Sequence, residues 1–331
     1  MENFQGLSID LIQMLQTLSP MLDGLFRFVY LFGTPAFYVL LIPIIYWTVN
    51  RNVGVTALMV FVSATIVSIA FRQLLHLPRP YWSGSLQVLA QASSYALPSS
   101  AAAISLAVMG YLAYRLDKAW LWASAGLLII LIGISGMYLG LHFPLDILTG
   151  WLLGLAVLVT LIKAHSFPLH AWNTHSIKWQ VGVAFGLSLG VIGIGLLVHA
   201  WIAPVVDPVS WAAFTPQARS MGDYFACAGV LLGGVIGARL MTSSSDFRTG
   251  GTFPRKIWRC ISGIAGVLFI YFGFEWLEQQ LPIVDSAPGY ALRYLEASLV
   301  MLWVFFFAPR LFLKIKLARP VKYAATPTFP V

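Results

Sequence analysis

Charge is scarce in this chain of 331 residues. Only 10% are Asp, Glu, Lys or Arg while 59% are hydrophobic, whereas a water-soluble domain carries about 25% charged residues. A soluble fold is therefore excluded. Cysteine is rarer still: Cys227 and Cys260 both fall in or beside apolar runs and read as core thiols, not as a disulfide. A basic, cleavable start is also missing. Glu2, Asp10 and Asp23 stand in the first 25 residues, and no small-residue cleavage site precedes the first long apolar run. There is no Gly-rich nucleotide loop and no nucleic-acid motif, so the net charge of +8 is not read as a nucleic-acid surface.

Apolar runs of about 20 residues, the length that crosses a bilayer as a helix, recur along the sequence. Nine spans are expected, at 28–49, 53–75, 99–114, 119–139, 144–164, 178–202, 222–242, 257–280 and 290–309. The fold class is an all-α polytopic transmembrane bundle. Residues 1–27 carry apolar residues at helical spacing with acids between them, the pattern of an interfacial helix broken near Pro20. The parts are then 1–27, a membrane core at 28–165, a four-span extension at 178–310 and a basic tail at 311–331.

Lysine and arginine set the orientation. Fifteen of the 20 fall on one side: Arg51, Arg115, Lys118, Lys163, Lys178, Arg239, Arg248, Arg255, Lys256, Arg259, Arg310, Lys314, Lys316, Arg319 and Lys322. Arg27, Arg72, Arg79, Arg219 and Arg293 fall on the other. Basic loops stay in the cytoplasm, so the C-terminus is expected inside and the loops near Arg79 and His142 outside, in a plasma (bacterial inner) membrane. In the extension, Gly182, Gly186 and Gly190, and again Gly229, Gly233 and Gly237, repeat every four residues, a spacing that lets helices pack closely in lipid. Glu275 and Glu278 are expected to pair with Arg293. His165, His170 and His175 are spaced five apart without cysteine or acid, which does not suggest a metal site.

Three stretches on the expected outer side carry chemistry: Arg72 and Arg79-Pro80; Pro98-Ser99-Ser100; and His142 with Asp146. Each has a bland reading. The arginines would anchor a helix end in the headgroups, a serine would cap a helix, and Asp146 would match a helix dipole. Falling together on one face, they suit a phosphate ester. Guanidiniums bind it with paired N–H donors, and a helix N-terminus adds free N–H groups. A histidine held by a carboxylate offers a nucleophilic nitrogen.

The sequence resembles the type-2 phosphatidic acid phosphatases, which share a core with the vanadium haloperoxidases and glucose-6-phosphatase. Their signature is Lys-x6-Arg-Pro, Pro-Ser-Gly-His and Ser-Arg-x5-His-x3-Asp. Here it reads Arg72-x6-Arg79-Pro80, Pro98-Ser99-Ser100-Ala101 and Ser135-Gly136-x5-His142-x3-Asp146. The resemblance implies a metal-independent, cofactor-free helical core over residues 28–165 with an extracytoplasmic site. In it His142 is the nucleophile, oriented by Asp146, and Arg72, Arg79, Ser99 and Ser100 bind phosphate. Four positions depart from the pattern: Arg72 replaces lysine and keeps the charge, Ser100 replaces glycine in the phosphate cradle, and two others lose a functional side chain. Ala101 stands where the family has the histidine that protonates the leaving group, and Gly136 where it has an arginine gripping the transferring phosphoryl group. Losing a general acid typically costs about 10²–10⁴-fold in rate. A diphosphate leaving group needs less of that help, and His76, one turn after Arg72, is the candidate substitute acid.

Three readings stay open at this point. One is a lipid-phosphate or polyprenyl-diphosphate phosphatase working through a phosphohistidine. The second is an impaired relative that binds anionic headgroups or a partner protein. The third is a lipid or small-anion transporter. Nothing in the sequence fixes an oligomeric state.

Overall fold

The apolar runs fold as helices in the computed structural model, which describes residues 2–84, 86–164, 175–244, 246–281 and 285–321. In chain order these are α1 (Glu2–Gln16), α2 (Asp23–Leu31), α3 (Pro35–Thr48), α4 (Arg51–Leu75), α5 (Ser100–Leu116), α6 (Ala119–Tyr138) and α7 (Pro144–Ala164). Beyond residue 175 come α8 (Ile177–Ile202), α9 (Gly222–Ser244), α10 (Phe253–Gln280) and α11 (Ala287–Leu302). A π turn, Trp303–Phe307, joins α11 to α12 (Ala308–Lys314). The only bridge among the described residues joins Phe247 to Pro320. The chain is an all-α integral membrane protein.

Among the described residues, seven stretches are long and apolar enough to cross a membrane, eight if one bent pair is counted as a span. Two of the nine expected spans take a different form from a single long helix. Residues 28–49 are not one helix: α2 and α3 meet at 52°, where Gly33-Thr34 precedes Pro35, a residue that starts helices and does not continue them. The expected boundary after residue 27 falls inside α2. The other is α5, which at 17 residues is short for a span. It is the buried centre of the core, with Ala101, Ala102, Ala103, Ala107 and Gly110 all inward. Those small residues let α7 come to backbone contact. A Cβ on Gly150 would lie 2.5 Å from the Ser99 carbonyl, and one on Gly154 2.4 Å from that of Ala103.

The two glycine repeats behave differently. A Cβ on Gly233 would lie 2.2 Å from the Ser298 carbonyl, and one on Gly229 2.4 Å from that of Tyr294, so α9 and α11 pack backbone to backbone. Among the described residues nothing lies within 4 Å of the corresponding positions on Gly182, Gly186 and Gly190, so that repeat does not pack closely against them. The expected pairing of Glu275 and Glu278 with Arg293 is also not found: no ion pair within 4.0 Å joins them, and Arg293 points at Gly222 instead. Cys227 and Cys260 are free thiols. His165, His170 and Lys322 lie outside the described residues.

A roof over one end of the core comes from the extension. Asp207 pairs with Arg219 at 2.8 Å and accepts a hydrogen bond from the Tyr95 hydroxyl at 2.7 Å. Phe214 stacks on Trp82 with ring centroids 4.8 Å apart. Beneath that roof lies the site.

Candidate active site

The loop bearing His142 is built by its glycine. Gly140 adopts φ +74, closing α6 in a Schellman motif in which Leu141 N–H reaches the Gly136 carbonyl at 2.9 Å and Gly140 N–H that of Met137 at 2.9 Å. Four residues after Gly140, Pro144 opens α7, where a missing N–H does no harm. His142 is thereby held between two helix ends and is only 2% exposed. Asp146, in the first turn of α7, accepts a hydrogen bond from Phe143 N–H at 2.7 Å. Its Oδ2 stands 3.7 Å from His142 Nδ1, facing it at just more than hydrogen-bond length. The Asp146 carbonyl accepts from Ser99 N–H at 2.8 Å, tying the start of α5 to the start of α7.

The two serines divide the roles proposed for them. Ser99 caps α5, its Oγ accepting from Ala102 N–H at 3.3 Å, so the bland reading holds for it. Ser100 faces the cavity and accepts from Arg72 Nη1 at 2.8 Å.

The arginines differ in how firmly they are held. Arg79, 3% exposed, gives Nε to the Ser94 carbonyl and Nη1 to that of Leu141 at 2.9 Å. Its Nη2 reaches Ser94 Oγ at 2.8 Å and the Tyr95 carbonyl at 3.3 Å. Of five N–H groups one remains, and no carboxylate lies within 4.0 Å among the described residues. Arg72 is held by Ser100 alone, with Asp223 of α9 at 3.6 Å from Nη2. Arg79 is thus a fixed positive charge and Arg72 a guanidinium with donors to offer.

His142, Arg72, Arg79, Ser100 and Ala101 line one cavity of about 380 Å³. Its polar end continues, past Ser93, Ser94 and Asp223, into a smaller polar cavity of about 180 Å³. Its other end is apolar, walled by Phe61, Ile69, Val39 and Val230. From there Val39, Ala226 and Val230 also line a second, apolar cavity of about 460 Å³ between α3 and the extension helices α9, α10 and α11. His76 lines none of these cavities: it ends α4 in the left-handed conformation, and its ring faces Tyr95. Sequence reasoning missed two residues that do. Asp223 arrives from the extension, and Tyr30 of α2 places its hydroxyl 3.4 Å from His142 Nε2.

Burial pushes the His142 imidazole down to about 4, with Arg79 and Arg72 adding to the shift against the pull of Asp146. At neutral pH the ring is uncharged. With its proton on Nδ1, towards Asp146, the lone pair at Nε2 faces the cavity.

Comparison with known proteins decides the family. Residues 53–168 match the PAP2 superfamily, and residues 225–320 match the transmembrane extension of PAP2 superfamily phosphatases. The chain belongs to the PAP2 superfamily. The PAP2 match covers all three signature stretches, and the extension match covers the cavity-lining residues of α9, α10 and α11. An undecaprenyl-diphosphatase from Sulfolobus acidocaldarius is 29% identical over 107 residues, 32% of this chain and 52% of that protein. The chain thus spans about half the length of this curated relative. The crystal structure of LpxE from Aquifex aeolicus aligns with a TM-score of 0.42 at 22% identity, over 47% of this chain and 95% of that one.

Proposed function

We propose that this PAP2 protein is a membrane lipid phosphatase that favours diphosphates. The observation that carries the proposal is the cavity itself, in which an uncharged histidine nitrogen faces two guanidiniums at one end and apolar walls run on from the other. An anion is the partner that an uncompensated, buried Arg79 lacks. A hydrocarbon chain is what the apolar end suits, so the substrate joins the two: a lipid phosphate or a polyprenyl diphosphate. In the first step His142 Nε2 bonds to the terminal phosphorus as the P–O bond to the leaving group breaks. The lipid monophosphate departs with that electron pair. Water then cleaves the P–N bond, releasing inorganic phosphate and restoring the imidazole.

Ala101 leaves no histidine to protonate a leaving alkoxide, whereas a departing phosphate is stable without that proton. The matched relative is named for a polyprenyl diphosphate, in keeping with this preference. We place the site on the extracytoplasmic side, with the C-terminus inside, on the 15-to-five distribution of basic residues. Cysteines introduced at 87–92 should react with an impermeant thiol reagent on intact cells; reaction only after lysis would reverse the orientation. Transport loses its sequence support, since neither glycine repeat lines the cavities described.

Phosphate release by purified protein, on matched lipid monophosphates and diphosphates with His142→Ala as the blank, tests the proposal. Diphosphates should be hydrolysed well above the blank and faster than monophosphates. Release no greater than the blank on every lipid would leave anion binding without turnover as the better reading.

A further inference from the structure

The two signature positions that lose a functional side chain, 101 and 136, are faced by one segment, the end of α2 and its bend into α3. A Cβ on Gly136 would lie 3.3 Å from His142 Cδ2 and 3.5 Å from Tyr30 Cε2, so the Tyr30 ring stands where a longer side chain at 136 would begin. A Cβ on Gly33 would lie 3.0 Å from the Ala101 Cβ, so the backbone of the bend occupies the room beside 101. The loss of two side chains is matched by the arrival of a helix end.

That helix end brings a hydroxyl. Tyr30 Oη lies 3.4 Å from His142 Nε2, the atom that would bond to phosphorus. The placement is held from the other end of α2, where Asp23 accepts from the Tyr138 hydroxyl at 2.6 Å and Phe26 stacks on Tyr138 at 4.3 Å. A reacting phosphorus sits about 3–3.5 Å from its nucleophile. Its equatorial oxygens then spread sideways around Nε2, within reach of a donor already beside that nitrogen. The leaving oxygen lies on the far side of the phosphorus, out of reach of that donor.

We propose that Tyr30 is a catalytic residue of this site: its O–H donates a hydrogen bond to an equatorial oxygen of the transferring phosphoryl group, in place of a side chain at 136. The proposal rests on the phosphatase reading above and deepens it. No proton is transferred. In the empty site the same O–H donates to Nε2, and on substrate binding it turns from the nitrogen to the oxygen. A neutral donor contributes where the phosphoryl oxygens gather charge, without adding a third cation to hold the ground-state dianion. Its effect should therefore appear in kcat more than in KM.

Tyr30→Phe keeps the ring and removes the donor, which leaves packing in place. Phosphate release from a polyprenyl diphosphate in detergent should fall about 10²-fold in kcat, as for the loss of one oxyanion donor, with KM changing less than about threefold. Thermal stabilisation by orthovanadate, which adopts five-coordinate geometry, should shrink more than stabilisation by inorganic phosphate. Gly136→Arg alone should lower the melting temperature by crowding Tyr30, and Tyr30→Ala in the same chain should relieve it. A Tyr30→Phe enzyme as fast as wild type, or faster, would make Tyr30 a plug and overturn the proposal. So would Gly136→Arg raising the rate with no loss of stability. If wild type matches the His142→Ala blank, the phosphatase reading fails by itself. Tyr30 is then judged on vanadate alone: loss of the stabilisation in Tyr30→Phe keeps the anion contact, and an unchanged shift overturns it.

Discussion

Two buried arginines at opposite ends of the bundle show how similar surroundings serve different ends. Arg79 and Arg259 are 3% and 1% exposed, both are wrapped largely in backbone carbonyls, and neither has a carboxylate within 4.0 Å among the described residues. Arg259 gives all five N–H groups away, to the carbonyls of Leu317, Trp47, Thr249 and Gly250. It is sealed, joining α3, α10 and the chain after α12 as a staple. Arg79 gives four and borders a cavity. One withheld hydrogen bond and an empty neighbour separate a structural guanidinium from a binding one. The carbonyls hold both groups in place but leave the unit charge of each without a counter-ion.

The largest expected effect tests that distinction. Arg79→Ala should lower phosphate release per folded molecule by about 10²-fold or more, as removal of a preorganised charge does. Arg259→Ala should leave that rate unchanged and lower the melting temperature instead, because each buried carbonyl it orphans costs about 1–3 kcal/mol. Activity and melting curves on the two variants decide it. Reversed outcomes would show that counting satisfied donors does not separate the roles.

The glycine repeats offer the same kind of contrast at smaller amplitude. Gly233→Ala should depress the melting temperature, since its Cβ would meet the Ser298 carbonyl at 2.2 Å and backbone yields poorly. Gly186→Ala has open space and gains helix propensity of about 1 kcal/mol, so it should be neutral or stabilising. Equal losses in both would mean that the first repeat also packs against something.

A third expectation concerns pH. The folded His142 value of about 4 lies below the ordinary histidine value of 6.5, so the unfolded chain takes up the proton first as pH falls. The stability that the neutral ring contributes is fully present above 6.5 and is lost as pH drops towards 4. Melting temperature against pH should therefore fall less steeply through that window in His142→Gln than in wild type. Parallel curves would place the ring in contact with water. The smallest effect is expected at Asp223. Its carboxylate stands 3.6 Å from Arg72 Nη2 with its side chain 63% exposed, and so competes weakly with a bound phosphate. Asp223→Asn should tighten phosphate binding by less than about fivefold, measurable as a lower inhibition constant for inorganic phosphate. Weaker binding would mean that Asp223 positions Arg72 and does not compete for it.

Much of this was legible in the residues before any coordinates. Hydropathy marked the helices, and the spacing of Arg72, Arg79, His142 and Asp146 marked the end of the bundle where they meet. The rest was hidden for identifiable reasons. Ser99 and Ser100 sit side by side at a helix start, and only backbone dihedrals decide which one caps it. A hydropathy window passes over Gly33-Thr34-Pro35, although those residues signal a break. Tyr30 is 112 residues from His142, and no local pattern joins them. The two glycine repeats read alike because a four-residue period says which residues share a face, not whether another helix lies against it.

The π turn at Trp303–Phe307 has a mechanical consequence. Its carbonyls are taken up from α3: the Tyr46 hydroxyl donates to Phe305 at 3.1 Å and Trp47 Nε1 to Val304 at 2.9 Å, beside the bond from Arg259 to the Trp47 carbonyl at 3.2 Å. Core and extension are therefore riveted at the end of α3 farthest from His142. Towards the other end of α3 the apolar cavity lies between it and α9. At the His142 end the roof fastens core to extension again, with Tyr95 donating to Asp207 at 2.7 Å and Phe214 stacked on Trp82. The apolar cavity therefore lies between two sets of fastenings, and a bowing of the helices between them, not a swing about one end, is what would widen it.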